Sequence, residues 1–142
     1  MSRRRRFGVS IPEDLAHKLD TLAEIMGIDR SSLVGKAVEN LVEEYEHYVR
    51  EHICQGVMVI VQGDNAIRPR LSELLEEYSD IVLLSFHYHV GGRCLEVAVV
   101  KGFSRRIAEM HSRLEKIGCK VRYIPLARVE GESSDAALQD RA

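Results

Sequence analysis

The chain has 142 residues, 45% of them hydrophobic, and a formal charge of only -2, so it can bury a core and shows no global basicity. No apolar run approaches the roughly 20 residues that span a bilayer. The N-terminal cluster Arg3-Arg4-Arg5-Arg6 leads into a short strand pattern, not a signal-peptide hydrophobic region, so the expectation is a cytoplasmic protein with no membrane partner. Three cysteines, an odd number, fit a reducing compartment and supply no disulfide framework; Cys54 and Cys119 read as buried strand or strand-end residues.

Two domains are expected, with residues 1–50 forming the first. Phe7, Val9 and Ile11 alternate with Arg4, Arg6, Gly8 and Ser10, which predicts a short strand with a basic, polar outer face. Pro12, Glu13 and Asp14 open a helix whose stripe is Leu15, Leu19, Leu22 and Met26, and Gly27 ends it. A second helix begins near Ser31-Ser32, with either serine as its cap, and carries Leu33, Ala37, Val38, Leu41, Val42 and Tyr45 on one face. A lone strand cannot satisfy its own N–H and C=O groups, so this unit must pair with a copy of itself. Two antiparallel copies make a ribbon narrow enough for the major groove of DNA. A solvated edge strand with a charged tail is the other reading of the same residues.

The segments Arg6-Phe7-Gly8-Val9-Ser10-Ile11-Pro12-Glu13-Asp14-Leu15 and Gly27-Ile28-Asp29-Arg30-Ser31-Ser32-Leu33-Val34 resemble the ribbon-helix-helix DNA-binding family. The resemblance implies an obligate dimer on double-stranded operator DNA, with Arg6, Gly8 and Ser10 at base edges and Arg4 beside them. It also implies phosphate contacts from the amides near Ser31 and Ser32, since helix N-termini favour anions. Gly8 departs from the polar residue usual at its position.

Residues 53–128 are expected to form the second domain, ordered βαββαβ: a strand from Cys54 to Val61, then a helix starting between Asn65 and Pro69. A hairpin, a helix capped by Ser104, and a strand from Lys120 to Val129 broken by Pro125 follow. That order predicts an α+β, ferredoxin-like fold of four antiparallel strands under two helices, with the first hairpin strand at an edge. Residues 130–142 read as a disordered tail.

The hairpin carries the chemistry. Along Ile81 to Val90 the residues Val82, Leu84, Phe86 and Tyr88 share one face, leaving Ser85, His87 and His89 on the other; Cys94 and Glu96 of the return strand point the same way as the histidines. A two-residue Gly91-Gly92 turn sets His89 opposite Cys94 and His87 opposite Glu96, with paired β-carbons roughly 4.5–5.5 Å apart. Singly, a strand histidine is a partly exposed polar residue and a cysteine a small hydrophobe. Together, two imidazoles and a thiol in phase form a soft-metal site.

A ribbon-helix-helix unit followed by βαββαβ, with Phe86-His87-Tyr88-His89 and Cys94-Leu95-Glu96-Val97-Ala98-Val99-Val100-Lys101-Gly102 on the central hairpin, is similar to the NikR family, whose regulatory domain is of ACT type. The similarity implies a nickel-responsive repressor and not an enzyme. It further implies a homotetramer (dimer of dimers) with nickel at intersubunit sites, to which His87, His89 and Cys94 contribute three of four ligands. The family's fourth ligand, a neighbouring subunit's histidine eleven residues before the first hairpin histidine, corresponds here to Glu76. The hairpin loop is one residue shorter than the family pattern, and acidic positions of the second helix appear as Ser32 and Lys36. An oxygen ligand at Glu76 keeps Co2+ and Zn2+ open beside Ni2+, as well as a regulator whose metal site is altered or lost in favour of another ligand. The remote alternative is a zinc enzyme with Glu96 as base.

Overall fold

A computed structural model describes residues 3–62 and 68–128. Backbone proximity divides the chain into two compact units, one ending at Asn40 and the other beginning at Leu41.

In the first unit, helix α1 spans Glu13–Met26 and helix α2, Arg30–Tyr45, begins. Pro12 precedes α1 and its carbonyl accepts the Ala16 N–H at 3.0 Å, while Glu13 and Asp14 sit at the positive end of the helix. Gly27, at φ 66°, closes α1 in the left-handed conformation, and the Ile28 N–H returns to the Ala23 carbonyl. The second cap differs from expectation. Asp29, not a serine, caps α2: its carboxylate accepts the Ser32 N–H at 2.9 Å and the Ser32 hydroxyl at 2.6 Å.

Residues 3–12 form neither strand nor helix in the single chain, although Phe7, Val9 and Ile11 alternate as expected. A strand exists only with a ladder partner, and one copy supplies none. The expected stripe on α1 is likewise uncovered: Leu15, Leu22 and Met26 are exposed, and among the described residues of this unit the buried apolar ones are Ala23 and Leu33. Such a surface is what a helix leaves when its core is shared with a second copy.

The second unit holds strands β1 (Ile53–Gln62), β2 (Val82–Val90), β3 (Arg93–Phe103) and β4 (Lys120–Arg128), with helices α3 (Arg68–Glu77) and α4 (Ser104–Lys116). The sheet is antiparallel with order β2-β3-β1-β4, so β2 is an edge, as the βαββαβ order implies. Met58, Ile60, Ala98, Val100, Val121 and Tyr123 from the sheet meet Leu71, Leu74, Ile107, Met110 and Leu114 from the helices in one core. Cys54 and Cys119 are buried in it, as expected.

Two local expectations are corrected. Ser104 does not cap α4 but is its first residue: its hydroxyl donates to the Arg50 carbonyl and accepts the His52 N–H, both at 3.0 Å, pinning the chain that enters β1. Pro125 does not break β4. It lies on an edge strand, where a missing N–H is tolerated, and the ladder absorbs it as a register shift opposite Gln55 and Gly56. Ile67 and Val129, expected in the first helix and the last strand of this domain, and the tail 130–142 lie outside the described residues.

Gly56 sits where the sheet is tightest. A β-carbon there would lie 2.6 Å from the Ile124 carbonyl oxygen and 2.6 Å from the Tyr123 hydroxyl. Gly56→Ala is therefore expected to destabilise the fold by about 1–3 kcal/mol, measured as a lower urea midpoint than wild type.

A second test concerns His47, which is 3% exposed and packs edge-on against Tyr123 with ring centroids 4.8 Å apart. Burial, then the neighbouring His111 and His52, push its pKa from 6.5 to about 4, while the Glu44 backbone offsets part of the drop. Between those two values the unfolded chain takes a proton that the folded chain refuses, so stability falls as pH is lowered through this window. Thermal unfolding should show Tm of wild type dropping more steeply from pH 6.5 to 4 than Tm of His47→Phe. Equal slopes would mean that His47 is not held neutral.

Candidate metal centre

The hairpin folds as its glycines require. Gly91 and Gly92 have φ values of 53° and 78°, the two positive angles of a type I′ turn, and they fix the register that pairs His89 with Cys94 and His87 with Glu96. Alternation then sends all four side chains to the same face of the sheet. One ligand atom from each of His87, His89 and Cys94 lies within 4.8 Å of the others. The Cys94 Sγ is 3.2 Å from His89 Nδ1, and the two Nε2 atoms of His87 and His89 are 3.2 Å apart.

Burial divides the cluster. Cys94 lies under the protein surface, whereas His87 and His89, on the edge strand, are open to solvent. The face that carries Cys94 and Glu96 is the one the helices cover farther along, where Ala98 and Val100 enter the core. Leu84, Phe86, Tyr88 and Val90, on the opposite face, are exposed. Alternation alone shows that the two faces differ; it does not show which one lies under the helices.

Glu96 has a role that the sequence did not reveal. It is 6% exposed and its Oε2 accepts a hydrogen bond from His87 Nδ1 at 2.5 Å, which leaves Nε2, 3.2 Å from His89 Nε2, as the nitrogen turned toward the other donors. The signal is present in the pairing of His87 with Glu96, but opposition across two strands does not by itself say that one residue orients the other. Two imidazole nitrogens and a thiol, one imidazole already oriented by a carboxylate, form a donor set that fits nickel, copper or zinc.

Glu76 lies on the last turn of α3, exposed, and outside this cluster. Arg4, Arg6, Gly8 and Ser10 are all exposed within residues 3–12. Ser31 and Ser32 are exposed at the start of α2, where the Asp29 carboxylate already takes the Ser32 amide. That hydrogen bonding, led by the Ser32 hydroxyl, holds the Asp29 carboxyl below its ordinary pKa, so a DNA phosphate approaching there meets a carboxylate.

Residues 3–46 match the ribbon-helix-helix domain family, and residues 56–128 match the NikR C terminal nickel binding domain. The chain belongs to the NikR family. Relatives from Thermococcus onnurineus and Pyrococcus furiosus, each 35% identical over 113 residues covering 77% of this chain and 82% of theirs, carry the name nickel-responsive regulator. So does a relative from Saccharolobus islandicus, 29% identical over 114 residues, covering 79% of this chain and 84% of its own. Similarity to solved structures is weaker: an uncharacterised protein from Thermotoga maritima aligns at TM-score 0.48 and 22% identity over 55% of this chain and all of that one, so the assignment rests on sequence.

As a NikR-family protein, the chain is a metal-responsive DNA-binding regulator with a nickel-binding C-terminal domain, and not an enzyme. Its ribbon-helix-helix domain binds DNA as a dimer, which accounts for the unpaired residues 3–12 and the uncovered α1 stripe of one copy. Among the described residues, no helix is long and apolar enough to cross a membrane.

Proposed function

We propose that this chain is a cytoplasmic, nickel-controlled transcriptional repressor acting as a homotetramer, a dimer of dimers. In this reading residues 1–50 bind operator DNA, residues 53–128 hold the metal and join the dimers, and residues 130–142 are a tail. His87, His89 and Cys94 are the ligands, with Glu76 of the partner subunit as the fourth. The observation that carries the reading is the convergence of the three donors with His87 already oriented by Glu96. Arg4, Arg6, Gly8 and Ser10 face the DNA, and the α2 N-terminus at Ser31 and Ser32 approaches phosphate.

The tetramer is supported by the uncovered sheet face. Leu84, Phe86, Tyr88 and Val90 are all exposed beside the half-buried Leu95, Val97 and Val99, an apolar surface of the kind that marks a protein–protein interface. A bound ion would supply a cross-link between the hairpin of one subunit and α3 of another. The residues do the rest: the hairpin presents its donors in fixed register, and the tetramer sets the separation of two ribbons that must match two half-sites. Such control requires that the DNA-competent arrangement hold the ion more tightly than the other.

Reduced protein titrated with Ni(II), Co(II) and Zn(II) should show thiolate-to-metal charge transfer with nickel and cobalt, and nickel should tighten operator binding. Because Glu76 offers oxygen where the family offers nitrogen, Glu76→His is expected to raise the preference for nickel over zinc. If nickel changes neither absorbance nor DNA affinity, metal control fails while the ribbon reading stands.

A further inference from the structure

Two arginines of α4 grip the end of α3. Arg106 Nη2 donates to the Glu77 carbonyl at 3.0 Å, one of the carbonyls that a helix leaves without an intrahelical partner at its C-terminus. The same guanidinium forks onto Asp80, Nε to Oδ2 at 3.2 Å and Nη2 to Oδ1 at 3.0 Å, and lies 4.0 Å from the centre of the Tyr78 ring. Its remaining contact, with Glu109 at 3.5 Å, stays within α4. Arg113 stands about two turns farther along α4 and so on the same face: its Nη1 pairs with the Glu77 carboxylate at 2.8 Å and donates to the Tyr78 hydroxyl at 3.2 Å.

A single exposed ion pair adds little, but a bidentate fork joined to a carbonyl, an aromatic ring and a second arginine is a network with a defined geometry. Tyr78 is wholly buried, so it holds the turn to the core while the arginines set its orientation. They also sort its carboxylates. Glu77 and Asp80 are engaged by Arg113 and Arg106, whereas Glu76 is exposed and its carboxylate takes part in no ion pair or hydrogen bond among the described residues. Cys94 and Glu96 lie on β3, which runs straight into α4, so the hairpin donors and the end of α3 are tied to one frame.

We propose that Arg106 and Arg113 are positioning residues for the metal centre: they fix the last turn of α3 so that Glu76, and not Glu77, is the carboxylate offered to the ion. This role rests on the reading of Glu76 as the fourth ligand. It assigns the two arginines no contact with the metal, only control over where the oxygen donor stands.

Full-length protein titrated with Ni(II) against a competing chelator, together with amide hydrogen exchange in the metal-free state, tests this. Arg106→Ala should weaken nickel binding roughly 10–100-fold, the range for groups that orient a metal ligand, with thiolate-to-nickel charge transfer from Cys94 retained. It should also speed exchange of the Tyr78 and Ser79 amides, which close the end of α3 on the Leu74 and Glu76 carbonyls. Arg106→Lys keeps the charge but not the fork and should recover only part of the loss. In a Glu76→Ala background, Arg106→Ala should change nickel affinity by no more than about twofold, because the ligand it positions is gone. Should Arg106→Ala not fold, Asp80→Ala, at the exposed end of the fork, takes its place in the same comparison. Wild-type affinity in Arg106→Ala, or an equal loss with and without Glu76, overturns the positioning role while a weakened Glu76→Ala keeps the fourth-ligand reading. If Glu76→Ala binds nickel as wild type does, the fourth-ligand reading fails and the positioning role fails with it.

Discussion

Cys94→Ala is expected to abolish tight nickel binding, and with it nickel-dependent DNA binding, while the metal-free fold survives. Cys94 is the buried anchor of the cluster: it is 2% exposed, 3.2 Å from His89, and supplies the thiol of the donor set. Removing an orienting partner of a metal ligand costs roughly 10–100-fold in affinity, and removing a ligand costs more, so a loss above ~100-fold is expected. Glu96→Gln gives the graded comparison. It keeps an acceptor for the His87 N–H but not the charge, and should fall within that 10–100-fold range. Thermal unfolding provides an independent readout. Nickel at about 100 times its dissociation constant should stabilise wild type by ~2.7 kcal/mol, and Cys94→Ala should show no such gain. A variant that binds nickel and operator as wild type does would remove the hairpin from the mechanism.

The second large effect is expected at the N-terminus. Arg4→Ala combined with Arg6→Ala removes two cationic side chains from each copy of the ribbon, and a dimer presents four. Operator affinity should drop by ~10³-fold at moderate salt, and the slope of log affinity against log salt should flatten by nearly one for each phosphate that no arginine neutralises any longer. Val9→Asp acts differently. Val9 lies on the apolar side of the alternation and is exposed in the single chain, so a carboxylate there should block strand pairing and leave a species that sedimentation shows to have lost its ribbon dimer. Unchanged salt dependence in the arginine variant would show that the ribbon does not touch the DNA backbone.

Much of this molecule follows from local rules. Alternation with a period of two, and a Gly91-Gly92 turn that accepts positive φ at both positions, are properties of the chain itself, which is why the pairing of His89 with Cys94 and of His87 with Glu96 is legible without a fold. Gly27 as the end of α1 and β2 as an edge strand are legible for similar reasons. The caps are not: Asp29, Ser31 and Ser32 are all good N-cap residues, and only the backbone geometry chooses Asp29. Ser104 likewise has the chemistry of a cap but is held by Arg50 and His52, more than fifty residues away in sequence.

Sequence by itself determined the donors, their phase and the family to which they belong. Tertiary structure decided which face of the sheet the helices cover, and so which donor is buried; that Glu96 orients His87; and that His47 is buried edge-on against Tyr123. The reason is physical: strand phase and turn type depend on neighbours along the chain, whereas burial and the partners of a polar atom depend on residues brought together only by packing.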